Sequence, residues 1–160
     1  MTFSIRSIDV GSPLKGKCES IIGGHKEIVP LITTLWTREA YESQWMDALQ
    51  ALTDGRVDCC VLITDVQPPE DSSGVTYWAM YREGCNVYLQ EQFSRDRTAL
   101  LIGPARAVVP HIPPRIQGSP EEQSEVSEWV LPIEDVRKFV ENSGKRSPES
   151  AKRNPGNATQ

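Results

Sequence analysis

Between Val57 and Asp65 the chain is apolar almost without a break, with Cys59, Cys60, Val61, Leu62 and Ile63 in direct succession. A run of this length is far short of the ~20 residues that a membrane span needs. Successive side chains of a strand point to opposite faces, so an unbroken apolar run leaves neither face suited to water. The sequence therefore predicts a central strand here, covered on both sides, and the rest of the chain must supply the cover.

The segment just before it supplies one side. Thr37 is a helix N-cap and Glu39 falls in the first turn, where a carboxylate suits the helix dipole. Tyr41, Trp45, Ala48, Leu49 and Leu52 recur at i, i+4, i+7, i+8 and i+11, which is one face of a helix over 37–53. Glu39, Glu42, Asp47 and Gln50 fall elsewhere and should face water, and Gly55 ends the helix. After the turn-rich loop 67–74, Val75–Arg82 and Asn86–Phe93 read as two strands joined at Glu83-Gly84-Cys85.

The flanks are less regular. Phe3–Asp9 reads as a short strand whose alternation slips once, as a bulge would make it. Cys18–Ile22 and Ile28–Leu35 are strands separated by Gly23-Gly24 and a turn at His25, and Pro30 confines the second to a sheet edge. Among Pro104, Pro110, Pro113 and Pro114, the stretches Leu100–Ile102 and Ala107–Val109 read as strand fragments. Ser119–Glu125 is an acidic loop and Val126–Val130 a last strand. Pro132 then opens a helix with Ile133, Val136, Phe139 and Val140 on one face. This order predicts an α+β fold, a mostly antiparallel sheet packed against two helices. Residues 1–142 form the single domain and 143–160, with Gly, Pro, Ser and charges, a disordered tail.

Charge says what such a domain would bind. Lys and Arg total 17 against 22 Asp and Glu, a net of −5. The tail is basic (Lys145, Arg146, Lys152 and Arg153 against Glu149, net +3), so the body carries −8. Residues 119–142 alone carry −5, from Glu121, Glu122, Glu125, Glu128, Glu134, Asp135 and Glu141 against Arg137 and Lys138. Such a body is poorly suited to phosphate backbones or anionic membranes. It suits a basic protein partner, and Glu121, Glu122, Glu125, Glu128 and Asp135 are the candidate partner-binding residues. Of Trp36, Trp78, Tyr81, Tyr88 and Trp129, any left exposed would be candidate anchors.

Signals for catalysis are missing. The chain has no G-x-S-x-G, no G-x-x-x-x-G-K-[ST] and no G-x-G-x-x-G. Its two histidines, His25 and His111, lie alone among turn residues, and Cys18, Cys59, Cys60 and Cys85 form no C-x-x-C pair. We expect no catalytic residue, cofactor or metal, and hence no enzyme. Met1–Arg6 lacks the basic-then-apolar pattern of a secretory leader, which leads to a cytoplasmic protein with reduced thiols.

One pattern is spread over several elements. Leu35-Trp36 closes a strand, Tyr41 and Trp45 follow one helical turn apart, and Leu49 follows after four more residues. Thr76-Tyr77-Trp78-Ala79-Met80-Tyr81, Asn86-Val87-Tyr88-Leu89-Gln90-Glu91 and Ser127-Glu128-Trp129 continue the series up to the terminal helix. Over roughly residues 30–142 the chain resembles the CdiI-type immunity proteins of bacterial contact-dependent growth inhibition systems. The resemblance implies a twisted antiparallel sheet somewhat like that of Whirly domains. It also implies binding to the C-terminal toxin of a cognate effector, in some systems a ribonuclease. The alternative, a nucleic-acid-binding module of Whirly-like fold, is opposed by the charge of the body.

Overall fold

The computed structural model describes residues 2–11, 15–66, 74–101, 103–117 and 127–145. Strands β1 (Phe3–Ile8), β2 (Lys15–Ile22) and β3 (His25–Ile32) precede helix α1 (Arg38–Thr53). Strands β4 (Cys59–Val66), β5 (Val75–Glu83) and β6 (Asn86–Ser94) follow, then two short helices, α2 (Arg97–Leu101) and α3 (Ala105–Val108), and a 3-10 turn at Val109–His111. Strand β7 (Glu128–Pro132) and helix α4 (Ile133–Gly144) close the order. The class is α+β, as the sequence implies, and all strand pairs are antiparallel. The strands divide into two sheets, β1-β2-β3 and β4-β5-β6-β7. One apolar core joins them, built around Tyr41, Trp45, Tyr77 and Trp78 and closed by Ile133 and Val136 of α4.

Helix α1 forms where its period places it. Thr37 Oγ1 accepts from the Ala40 amide, and all five residues of the apolar face are buried. Gly55, at φ 72°, takes the left-handed conformation that ends the helix at little cost.

Several local expectations change. Gly23 and Gly24 have φ of 58° and 87°, the pair of left-handed residues that a tight two-residue hairpin turn needs. They make the whole turn, so His25 is not a turn residue but the first of β3, opposite Ile22. Pro30 does lie in an edge strand. The β1–β2 ladder is regular from Phe3 to Ile8, without a bulge; the irregularity falls in β4, between Ile63 and Asp65. Leu100 and Ala107 belong to α2 and α3 rather than to strand fragments. Asp96 Oδ1 accepts from the Ala99 amide at the start of α2, and Pro104 immediately precedes α3, so these local signals start helices where no neighbouring strand is on offer. Helix α4 runs to Gly144, past Val140, and residues 146–160 of the basic tail lie outside the described residues.

Strand β4 brings the largest correction. Cys60 to Thr64 are all buried, yet β4 is an edge strand of its sheet, not a central one. Its cover comes from a helix. In the β4–β5 ladder, Cys60 and Leu62 turn their peptide groups to β5 and Val61 and Ile63 turn theirs outward. Gln44 of α1 meets them as a strand would: its Nε2 donates to the Val61 carbonyl (2.8 Å) and its Oε1 accepts from the Ile63 amide (3.0 Å). Trp45 Nε1 donates to the Ile63 carbonyl (2.6 Å). Past the bulge the outward residue is Val66, whose amide donates to the Tyr41 hydroxyl (3.1 Å). That hydroxyl donates to the Ile32 carbonyl (2.8 Å), so one tyrosine joins the edge of one sheet to the edge of the other. Burial holds the Tyr41 phenol protonated, pushed up to about 12.

Candidate functional site

Residues directly opposite in an antiparallel ladder share a face. The β5–β6–β7 registers therefore place Tyr77, Ala79, Tyr81, Tyr88, Gln90, Gln92, Glu128 and Val130 on one face of the second sheet. This face is polar, and the proline-rich segment after the 3-10 turn crosses it. Tyr81 Oη donates to the Pro113 carbonyl (2.7 Å). Gln90 is buried; its Nε2 donates to the Ile116 carbonyl (2.7 Å) and its Oε1 accepts from the Ile116 amide (3.1 Å). Gln92 Nε2 donates to Tyr81 Oη (3.1 Å) and its Oε1 accepts from Tyr77 Oη (3.0 Å). Prolines deny this segment a backbone ladder, and the glutamine and tyrosine side chains hold it instead.

Arg115 completes the attachment. Its Nε and Nη2 each lie 2.9 Å from a Glu128 oxygen, a two-pronged pair, and its Nη1 donates to Glu83 at 3.1 and 3.2 Å. The guanidinium lies over the Tyr88 ring, 3.5 Å from the centroid. Glu128 also accepts from Gln90 Nε2 (2.7 Å). The Arg115 hydrogen bonds hold the Glu128 carboxyl below its ordinary value, and Glu128 in turn raises the Arg115 guanidinium. Arg115 and Glu128 are also the posts that flank the acidic segment in sequence. Ile116 and Val130 beside them are 46% and 44% exposed.

Of the five sequence-derived partner-binding residues, the two that are described belong to different features. Glu121, Glu122 and Glu125 lie outside the described residues, in the segment that these posts bracket. Glu128 is described and committed to Arg115. Asp135 lies in the first turn of α4 and lines a different feature, a cleft of about 890 Å³ between β1, α1 and α4. Phe3 and Phe139 meet edge-to-face across that cleft (5.4 Å), and Arg6, Glu42 and Lys138 give its wall both signs of charge. Arg6 and Lys26 hold the neighbouring Glu19, whose carboxyl is lowered chiefly by Lys26 and then by Arg6. Sequence reading missed Arg115 and Gln90. The one signal was a lone cation in a proline-broken stretch, which must be fastened by side chains if it is fastened at all.

Of the aromatics, Trp78 and Tyr81 are core residues. Trp36, Tyr88 and Trp129 are half-buried; Trp36 packs on Tyr41 and Trp129 stacks on His25 at 6.4 Å. Burial pushes the Cys18 thiol up to about 12 and raises Cys59 and Cys60 as well, which makes all three poor nucleophiles. Among the described residues, no group of three His, Cys, Asp or Glu could hold a metal ion, and no helix is long and apolar enough to cross a membrane.

A search of curated proteins returns no match. Among solved structures, the chain is similar to one in a CdiA-CT/CdiI toxin and immunity complex from Enterobacter cloacae. The TM-score is 0.69 at 17% identity, covering 90% of this chain and 99% of that one, which establishes a shared fold. The family model of the CdiI N-terminal domain matches residues 31–139, from β3 to α4, close to the limits that the sequence resemblance sets. With more than half of its length matched, the chain belongs to the CdiI family, the immunity proteins of contact-dependent growth inhibition.

Proposed function

We propose that this protein binds the toxin domain of its cognate contact-dependent growth inhibition effector and neutralises it without catalysing a reaction. Membership of the CdiI family carries this reading. Its fold is that of a chain found in a complex of CdiA-CT toxin with CdiI, which is consistent with a toxin as partner. The finer proposal is that the toxin is a nuclease, that the immunity protein meets it in the cytoplasm of the producing cell, and that it works by occluding substrate. A nuclease needs a basic surface for phosphate, and a body of −8 complements one.

We assign the contact to Glu121, Glu122 and Glu125, with Glu128 at the foot of their segment and Asp135 as an outlying acid. Arg115 already engages Glu128, so Glu128 acts more by holding the segment's end than by offering a carboxylate. Stopped-flow or surface-based kinetics with the toxin domain encoded beside this protein test the assignment. Replacing Glu121, Glu122 and Glu125 by Lys should slow association about tenfold or more at low salt and flatten its salt dependence. An unchanged rate and salt slope would remove these acids from the contact. No complex at micromolar concentration, together with no protection of cells expressing the toxin, would overturn the immunity function itself.

A further inference from the structure

The far edge of the second sheet presents a different chemistry from its acids. Strand β7 is the last in the order β4-β5-β6-β7, and among the described residues no strand pairs with its outer side. The ladder parity fixes what that side displays. Glu83 and Asn86 flank a two-residue turn, and the Ile133 amide donates to the Cys85 carbonyl (2.8 Å). Trp129 and Leu131 therefore turn their peptide groups towards β6, and Glu128 and Val130 turn theirs away from the sheet. An outward row of amides and carbonyls is a template for one more strand.

The surroundings of this row select the occupant. Val130 and Ile116 expose apolar side chains next to it, which an added strand could cover. From Ser119 to Glu128 the chain carries Glu121, Glu122, Glu125 and Glu128 and no cation. Two copies of this chain brought together along β7 would juxtapose two such acidic segments. A basic strand would be drawn to the same place.

We propose that β7 is extended by a strand of the partner toxin, one flanked by Lys or Arg, with the Val130 amide and carbonyl as the central pair of hydrogen bonds. This deepens the immunity reading and rests on it. The net negative charge of the body favours the approach of a basic strand, and the backbone pairing sets orientation and residence time.

Hydrogen exchange of the wild-type protein, alone and with the cognate toxin domain, tests the pairing. The Val130 amide should exchange rapidly in the free protein and at least about tenfold more slowly in the complex. Val130→Pro removes the outward amide at a position where an edge strand tolerates proline, and should weaken binding about tenfold. Val130→Thr keeps the amide and should change affinity less than about threefold. A complex that forms with Val130 exchange unchanged would overturn the strand pairing and leave the immunity function standing, whether or not the proline variant folds. Protection of Val130 that grows with the concentration of this protein alone would assign the edge to a second copy and overturn the proposal. Failure to form any complex would overturn both.

Discussion

Among the described residues, strands β4 and β7 each have a single neighbouring strand, and each turns the peptide groups of alternate residues away from the sheet. At β4 those groups meet Gln44, Trp45 and Tyr41 of α1, and the edge is closed by side chains that do a strand's work. At β7, among the described residues, no strand or helix meets the outward groups of Glu128 and Val130, and Val130 is exposed. A free edge is a hazard for any sheet protein. Here one edge is made unavailable by hydrogen bonding, whereas the other is the one we propose for a basic strand. The first arrangement contributes to stability, and the second, on the proposal above, to the choice of partner.

The largest effects should come from opening the closed edge. Trp45 is 1% exposed, and Trp45→Ala removes both its volume and its hydrogen bond to Ile63. Urea denaturation should show a loss of about 3–5 kcal/mol. Gln44→Leu keeps most of the volume but strips the partners from the Val61 carbonyl and the Ile63 amide. It should cost about 2 kcal/mol and make the protein prone to edge-to-edge association, visible by light scattering. If Gln44→Leu were neutral, β4 would not depend on the helix for its edge.

Smaller effects should follow at the open side. Arg115→Ala frees the proline-rich segment from Glu83 and Glu128 and should cost roughly 1 kcal/mol, because the pair is partly exposed. The pH dependence has a definite sign. The Glu128 carboxyl is lowered in the folded state, so its contribution is complete above the usual glutamate value and is lost as pH falls through the lowered one. Melting curves between about pH 7 and pH 3 should show a destabilisation on acidification that Glu128→Gln reduces. Least of all, Val130→Thr should shift stability by less than about 0.5 kcal/mol, since that residue is 44% exposed.

What the sequence showed and hid follows the same division. Helix α1 was legible from its period and from Thr37, and the β5–β6 hairpin from Gly84 between two rows of strand residues. The burial of Cys60–Ile63 was legible too, but an apolar run reports only that both faces are covered, not by what. A strand and a helix give the same signal, so β4 reads as central when it is an edge. Gln44 carries no mark of its role, because on a helix its spacing is that of any polar residue. Pairings such as Gln90 with Ile116, or Arg115 with Glu83, join residues 26 and 32 positions apart and leave no local pattern. The acidity of 119–142 was plain from the sequence, but the commitment of Glu128 to Arg115 appeared only in three dimensions.

Amide hydrogen exchange on the free protein, followed at Ile63 and Val130, compares the two edges within one molecule. Ile63, held by Gln44, should exchange only at the rate of global unfolding, and Val130 should exchange orders of magnitude faster. Equal rates at the two amides, or a slower rate at Val130, would contradict the contrast between a closed β4 edge and an open β7 edge.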